Sequence, residues 1–299
     1  QSRKNENMKN GLIMEGGAMR GLFTAGVLDI MMENNIVPDG CVGVSAGAAF
    51  GCNIKSHQIG RVIRYNLRFA KDWRFASIWS WLITGDLYGG EFDYQVLPKE
   101  LDYWDIDTFA KNPMEFYVVA TNAKNGKALY HKCFDGGQRD LLWIQGSASM
   151  PIASKPVQVD GFTLLDGGIS DSIPLAFFNG IGYEHNLVIL TQPRTYTKKQ
   201  YSEKQLKFLQ RALRKTPAVY NMLTRRYLAY NEQLEEIWRQ EQEGKILVIR
   251  PRENLKIGSV CHDVDEEKRV YEAGREAGIT YLDEMKSFYG EDNRLPSTK

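Results

Sequence analysis

The sequence has almost no net charge and no long hydrophobic run. Among its 299 residues, 38 Lys and Arg are offset by 37 Asp and Glu, whereas nucleic-acid-binding domains usually carry a large positive excess. The longest stretch without a charged residue, Gly40 to Ile54, has 15 residues and is rich in Gly and Ala, which is too short for a membrane-spanning helix. We therefore expect neither a nucleic-acid partner nor a transmembrane helix.

Cysteine and histidine are also sparse. The four cysteines lie far apart without a C-x-x-C pair, and the four histidines are equally dispersed. This pattern suits a reduced, cytoplasmic protein better than a disulfide framework, and no cluster has the spacing of zinc ligands. The sequence thus predicts no metal and no cofactor. Residues 1–10 are polar and lack an apolar signal segment, so we interpret them as a tail or tag remnant.

The first 55 residues alternate between buried strands and helices, with apolar runs at Leu12–Met14 and Cys41–Val44 and helical segments at Arg20–Asn34 and Ala46–Lys55. This alternation indicates an α/β fold with a mostly parallel central sheet flanked by helices. Later apolar runs predict strands at Phe116–Thr121, Leu164–Leu165, Leu187–Leu190 and Ile246–Ile249, and helices at Ile59–Ala70, Glu203–Lys215, Thr224–Glu243 and Glu266–Phe288. Residues 11–251 are predicted to form one α/β domain, followed by a helical C-terminal appendage over residues 252–299.

A G-x-S-x-G motif, Gly43-Val44-Ser45-Ala46-Gly47, lies where the second predicted strand enters a helix. A sharp strand-to-helix turn forces its central residue into strained backbone angles, and the flanking glycines remove clashes. The hydroxyl of Ser45 then projects above the sheet, and the amide of Ala46 can donate to a developing oxyanion. A tight turn with an N-capping serine is the structural alternative.

Two more glycine-containing segments follow predicted strands. Gly16 and Gly17, within the segment from Glu15 to Gly21, would expose successive amides to an anion at the start of a helix, although the segment lacks a dinucleotide-binding G-x-G-x-x-G. Asp166-Gly167-Gly168 puts a carboxylate at a strand end, where open α/β sheets carry functional groups. Taken alone, the glycine-rich segment could also be a structural turn, and an isolated Asp-Gly is most often an Asx-type turn.

Taken in order, these segments resemble the patatin-like phospholipase family of serine acyl hydrolases. The family's G-G-G-x-R-G block is similar to Gly16–Gly21, with Ala18 in place of the third glycine and Arg20 at the arginine. Its G-x-S-x-G matches Gly43–Gly47, its D-G-G/A matches Asp166–Gly168, and its A-S-x-x-x-P is similar to Ala148–Pro151, where the proline comes one residue sooner. The resemblance covers roughly residues 11–190, and the segment Tyr271–Gly278 resembles bacterial members.

The resemblance implies a three-layer α/β/α fold and a lipid acyl hydrolase of the phospholipase A or lysophospholipase kind. Ser45 would be the nucleophile and Asp166 its direct base, in a dyad that needs no histidine. The amides of Gly16, Gly17, Ala18 and Ala46 would form the oxyanion hole, supported by the flanking motif residues Arg20, Gly21, Gly43, Gly47, Gly167 and Gly168. Partial burial should raise the pKa of Asp166 if it is to act as a base near neutral pH.

Two alternatives stay open. An α/β-hydrolase triad could follow the chain order Ser45, Asp166 and then His185 or His262, but it would leave Gly16–Gly21 unexplained. A non-catalytic acyl-binding regulator is the second alternative.

The expected partner is a lipid or ester substrate, with possible contact at a membrane surface. An aromatic stretch from Trp73 to Ile83 could form one wall or lid of an acyl pocket, or pack in the core. Residues Arg194 to Lys215 contain eight basic residues and one acidic residue, a patch that could attract anionic lipid headgroups or be a solvated helix face.

Overall fold

A computed structural model describes residues 8–72 and 92–290. The tail residues 1–7 and the aromatic stretch Trp73–Ile83 lie outside the described residues. Within the described part, no helix has an apolar stretch long enough to cross a bilayer.

An eight-stranded sheet forms the middle layer. Its strands are β1 (Asn10–Met14), β2 (Gly40–Val44), β3 (Glu115–Asn122), β4 (Ala128–Cys133), β5 (Val157–Val159), β6 (Phe162–Asp166), β7 (His185–Ile189) and β8 (Ile246–Ile249). The order is β5-β6-β3-β2-β1-β7-β8, and β4 pairs with β3. Strands β3, β2, β1, β7 and β8 are parallel to one another, which confirms the predicted mostly parallel sheet.

Ten α-helices surround the sheet in the described ranges. They are α1 (Gly21–Glu33), α2 (Ala46–Lys55), α3 (Arg61–Phe69), α4 (Ile106–Lys111), α5 (Gln138–Ser147), α6 (Leu175–Gly180), α7 (Glu203–Ala212), α8 (Pro217–Gln242), α9 (Val264–Thr280) and α10 (Leu282–Tyr289). The single helix predicted from Glu266 to Phe288 is wrong, because the chain leaves α-helical geometry at Tyr281 (φ −94°, ψ 10°) between α9 and α10.

The strands are apolar throughout because the sheet is covered on both faces. All five residues of β1 are buried. Leu12 and Met14 pack into a core cluster with α1 and α9, whereas Ile13 packs on the opposite face against residues of α6 and α8. Because successive side chains of β1 point to opposite faces of the sheet, the strand contributes to both cores of a three-layer α/β/α arrangement.

Helix α9 crosses α1 at close range. A side chain at Gly274 would overlap the carbonyl group of Phe23, and one at Gly26 would overlap the carbonyl oxygen of Tyr271. The hydroxyl of Tyr271 also donates to Asp29 Oδ2 at 2.5 Å. The C-terminal helices thus pack on the same layer as the first helix, while a domain boundary near residue 251 stays a prediction.

Candidate active site

The G-x-S-x-G motif forms a sharp turn between β2 and α2. Ser45 has φ 54° and ψ −122°, a strained conformation for a residue with a side chain. A Cβ on Gly43 would lie 2.6 Å from the Cα of Ala48, and Gly47 lies equally tightly against the carbonyl of Met14. Glycine at both positions therefore lets the turn close, and α2 begins at Ala46, whose amide donates to no acceptor among the residues that the structure describes.

Strand pairing brings Asp166 next to this turn. Along one edge of β3, Val44 of β2 pairs with Val119, and Asp166 of β6 pairs with the following residue, Ala120. The opposite edge of β3 is occupied by β4. The residue after β2 and the last residue of β6 therefore meet, although 121 residues separate them in the chain.

The two side chains are in direct contact. Ser45 Oγ donates a hydrogen bond to Asp166 Oδ2 at 2.6 Å, and the Gly168 amide donates to Asp166 Oδ1 at 2.7 Å. Burial raises the pKa of Asp166 above its ordinary value of 3.8, while the hydrogen bond from Ser45, the charge of Arg226 and the Gly168 amide oppose that rise without cancelling it. Asp166 is thus a carboxylate of increased basicity that contacts a hydroxyl group.

The glycine-rich loop after β1 lies against the turn. A Cβ on Gly16 would be 2.8 Å from the Val44 carbonyl oxygen and 2.9 Å from the Cβ of Ser45. Within the described residues, the amides of Gly16, Gly17 and Ala18 donate to no protein acceptor. Ala18 adopts φ 48°, the left-handed region that suits the glycine it replaces. The loop therefore offers free amides close to Ser45.

Of the remaining motif residues, two glycines allow close packing and Arg20 lines a cavity. Gly21 starts α1, and a Cβ there would lie 2.8 Å from the Cβ of Ala46. A side chain at Gly167 would overlap the Val119 carbonyl, so glycine lets the turn after β6 approach β3. Arg20 extends into a polar cavity that also contains Ser45.

Ser147 is a site residue that the sequence did not reveal. It ends α5 and is fully buried. Its hydroxyl accepts from the Ser45 amide at 2.8 Å and donates to the Val119 carbonyl at 2.5 Å. This bridge joins the strained turn to β3. Its only signal in the sequence is its position directly before Ala148–Pro151. Ser45 and Ser147 are about a hundred residues apart in the chain, so no local pattern connects them.

The buried carboxylate of Glu15 was not predicted either. Its Oε2 accepts from the Thr191 amide at 2.6 Å and from the Thr191 hydroxyl at 3.2 Å. Its Oε1 accepts from the Tyr230 hydroxyl. Glu15 therefore joins the glycine-rich loop to the end of β7 and to α8.

The histidines of the triad alternative are bonded elsewhere. His185 Nδ1 bonds to Asn10 Oδ1 at 2.8 Å, at the opposite end of the sheet strands from Ser45. His262 Nδ1 donates to the Ala70 carbonyl at 2.6 Å. Across the described ranges, which include all four histidines, none hydrogen-bonds to Ser45 or Asp166. The geometry favours a pair without histidine.

Two cavities meet at Ser45. One, of about 120 Å³, is mainly apolar and is lined by Phe50, Leu97 and Ile144 among others. The other, of about 300 Å³, has a mixed polar and apolar lining that contains cations, including Lys198 and Arg226, and the carboxylates of Glu15 and Asp166. Ser45, Ala18 and Met150 line both cavities. A group bound at Ser45 would therefore extend into an apolar cavity on one side and a more polar cavity with charged residues on the other.

Three possible metal ligands lie together away from Ser45. The ligand atoms of His131, Cys133 and Asp140 are within 4.8 Å of one another. Asp140 already accepts from His131 Nε2 at 2.7 Å and from three amides, including Gly136. Although burial alone would raise the pKa of Asp140, these hydrogen bonds lower it. The cluster is a hydrogen-bonded structural unit that holds the turn between β4 and α5.

Comparisons with known proteins identify the chain. A family model described as patatin-like phospholipase matches residues 12–178, and one described as a domain of unknown function, DUF6363, matches residues 216–290. By class the chain is a lipid acyl hydrolase. It belongs to the patatin-like phospholipase family, which confirms the resemblance and the fold class predicted from the four motifs.

Individual relatives differ in how much they share. The uncharacterized protein YjjU of Escherichia coli K12 is 27% identical over 290 residues, 91% of this chain and 76% of that protein. Lysophospholipase nte1 of Aspergillus niger is 28% identical over 179 residues, 58% of this chain and 11% of its own length. The chain thus spans about a tenth of that lysophospholipase. VipD from Legionella pneumophila has a TM-score of 0.46 at 11% identity, over 93% of this chain and 67% of that structure.

Proposed function

We propose that this protein hydrolyses ester bonds of lipids through a dyad of Ser45 and Asp166, in the manner of a phospholipase A or lysophospholipase. The observation that carries the proposal is the 2.6 Å hydrogen bond from Ser45 Oγ to Asp166 Oδ2 on a strained strand-to-helix turn. The apolar cavity beside Ser45 supports an acyl chain as the bound group.

The first half of the reaction forms an acyl-enzyme. Asp166 takes the proton of Ser45 as Oγ attacks the ester carbonyl carbon, and the carbonyl oxygen becomes an oxyanion. We assign its stabilisation to the amides of Gly16, Gly17, Ala18 and Ala46, because these amides lie near Ser45 and donate to no acceptor in the described part of the chain. When the tetrahedral intermediate collapses, Asp166 returns the proton to the departing alcohol.

The second half regenerates the enzyme. Water loses a proton to Asp166 and attacks the acyl carbonyl carbon, and the collapse of that intermediate releases the fatty acid as Ser45 recovers its proton. The raised pKa of Asp166 favours both proton transfers, because a more basic carboxylate takes a proton more readily. No cofactor takes part in these steps.

Labelling with a fluorophosphonate probe tests for an activated serine without assuming a substrate. We expect wild-type protein to be labelled and Ser45→Ala to be unlabelled and inactive on p-nitrophenyl butyrate. Asp166→Asn keeps an acceptor for the Gly168 amide but cannot take the proton, so kcat/KM should fall by about 10²–10⁴-fold. Asp171→Asn is the matched control, because Asp171 is a neighbouring carboxylate that bonds to Tyr130 and Gln233 instead. Full activity in Ser45→Ala or Asp166→Asn would reject the dyad.

A cytoplasmic protein that contacts membranes peripherally is part of the same proposal. The scattered, free cysteines support a reducing compartment. On α7, Phe208 is 61% exposed and is flanked by the exposed Lys204, Lys207 and Arg211, which favours an anionic lipid surface. Phe208→Asp should weaken cosedimentation with phosphatidylglycerol vesicles, whereas Ile279→Asp on α9 should not. Equal binding by all three proteins would reject α7 as the contact.

A further inference from the structure

The carboxylate of Glu15 is held from two directions, directly before the glycine-rich loop. Glu15 is 3% exposed. From the end of β7, the amide and the hydroxyl of Thr191 donate to its Oε2 at 2.6 and 3.2 Å, and from α8 the hydroxyl of Tyr230 donates to its Oε1. In the described part of the chain, no other group donates to Oε1. Loss of the Tyr230 hydroxyl would therefore leave one oxygen of a buried carboxylate without a donor.

The loop that follows Glu15 is packed against the same supports. The Thr191 hydroxyl also donates to the Gly16 carbonyl oxygen at 3.1 Å, and a Cβ on Gly17 would lie 2.6 Å from Thr191 Oγ1. On another side, Gly16 lies against the turn at Ser45. Because close-packed groups transmit displacement to their neighbours, a movement of the Glu15 side chain also moves the amides of Gly16 and Gly17.

Helix α8 supplies a donor that is neutral throughout the pH range of an assay. Burial and, after it, the negative charge of Glu15 raise the pKa of Tyr230 well above its ordinary value of 10.0. The Tyr230 hydroxyl therefore keeps its proton for Glu15. The ammonium group of Lys198 lies 4.8 Å from the centre of the Tyr230 ring, which places a positive charge beside the pair. The contact between α8 and the loop is thus a permanent part of the site.

We propose that Tyr230 is a positioning residue of the hydrolase, which acts through Glu15 to hold the glycine-rich loop where its amides bind the oxyanion. The inference rests on the proposed function. The oxyanion develops only as the reaction proceeds, so a displaced loop stabilises the transition state less and leaves the binding of the ester almost unchanged. A displacement of about 1 Å can cost on the order of 10²-fold in rate. Helix α8, which lies in the second family match, then helps to align the active site.

Steady-state kinetics on p-nitrophenyl butyrate separate this role from a purely structural one. We expect Tyr230→Phe to lower kcat by about tenfold or more while KM stays within about twofold. Gln233→Met is the matched control, because Gln233 follows on the same helix and donates to a different carboxylate, Asp171, at 2.6 Å. It should keep the wild-type kcat. If Tyr230 only holds α8 in place, both variants will lose stability and neither will lose kcat.

A double-mutant cycle tests whether Tyr230 acts through Glu15. Glu15→Gln keeps the shape of the side chain and an acceptor for the Thr191 amide, but it removes the charge. In that background, loss of the Tyr230 hydroxyl no longer leaves a buried charge without a donor. The loss of kcat caused by Tyr230→Phe should therefore be smaller by about threefold or more than in the wild-type background. Additive losses would overturn the coupling.

The position of the loop can be measured without turnover. The sequence contains two Glu-Gly pairs, Glu15-Gly16 and Glu243-Gly244, so cell-free synthesis with carbonyl-¹³C Glu and ¹⁵N Gly gives two amide peaks in a spectrum selected for that bond. The Gly16 peak should shift in Tyr230→Phe but not in the control variant, and the Gly244 peak is the internal reference. A shifted Gly16 peak in a protein that hydrolyses no ester would support the link and reject the hydrolase function alone. An unmoved Gly16 peak, or a shifted one with wild-type kcat, would overturn the inference.

Discussion

The hydroxyl of Ser147 provides a sharp test of how the strained serine is held. It accepts from the Ser45 amide at 2.8 Å and donates to the Val119 carbonyl at 2.5 Å, with no exposed surface. Ser147→Ala removes both bonds and leaves a buried amide with no acceptor. Because Ser45 sits at φ 54°, this loss acts on a residue whose conformation depends on its surroundings.

The matched control is Ser149→Ala, two residues away. The hydroxyl of Ser149 donates to the Gln145 carbonyl at 2.9 Å, a carbonyl that also accepts from the amide of Ala148. Its removal deletes a bond without leaving a backbone donor unsatisfied. We expect a loss of about 0.5–1.5 kcal/mol in the free energy of unfolding for Ser149→Ala, against about 1–3 kcal/mol for Ser147→Ala.

Catalysis should separate the two variants further. A displacement of about 1 Å at a reacting atom can cost on the order of 10²-fold in rate, so kcat on p-nitrophenyl butyrate should fall strongly in Ser147→Ala and little in Ser149→Ala. Urea unfolding followed by circular dichroism gives the stability, and steady-state kinetics give kcat on the same preparations. Equal losses in both measurements would refute the idea that Ser147 fixes the serine turn.

Three other predictions follow from titration and burial. Because the pKa of Asp166 is raised, its side chain stays protonated, and unable to act as a base, up to a higher pH than usual. The acidic limb of the pH profile of kcat/KM should therefore lie above 3.8. A limb at or below that value would contradict the role of Asp166 as base. Glu267 is fully buried, its oxygens bond to no described residue, and burial raises its pKa to about 7 from 4.5. Between these values the unfolded chain releases a proton that the folded chain keeps, so stability falls as pH rises; Glu267→Gln should remove this fall, stabilising by roughly 1–3 kcal/mol above pH 7, as thermal unfolding at several pH values would reveal. Activity should survive in His185→Ala and His262→Ala, and a loss of several orders of magnitude in a folded variant would restore the triad.

Local sequence was enough to predict the parallel half of the sheet. Residues Leu12 to Lys55 alternate apolar runs with helical spacing, and the glycine pair Gly43 and Gly47 indicates a sharp turn by itself. Strand β4 and helix α5 were missed because β4 is half exposed with weak alternation, and the buried positions of α5 include the polar residues Asp140 and Ser147. Helix α5 matters for the site because it places Ser147 against the turn at Ser45, about a hundred residues earlier in the chain.

The basic stretch from Arg194 to Lys215 illustrates what charge counting cannot resolve. The sequence suggests one patch, but the structure assigns its members to different surroundings. Arg194 lies over the ring of Trp238 at 4.3 Å and pairs with Glu241, Lys198 lies in the cavity beside Ser45, and Lys199 is exposed. Neighbouring residues in an irregular segment can point in opposite directions. The number of basic residues therefore predicts a general attraction for anions, but it does not predict which of these residues share a binding site.

The cationic side of the candidate site is built mainly after the patatin-like match ends at residue 178. Lys198 comes from the segment after β7, and Arg226 and Tyr230 come from α8, within the second family match. Because Tyr230 donates to Glu15, α8 is hydrogen-bonded to the residue directly before the glycine-rich loop. A relative that shares only the first match can reproduce the serine, the aspartate and the glycine-rich loop, but it must form the opposite wall from other residues. The serine, the aspartate and the glycine-rich loop therefore lie within the first family match, whereas Lys198 and Arg226 on the opposite wall lie beyond it, so the two walls can be tested by separate substitutions.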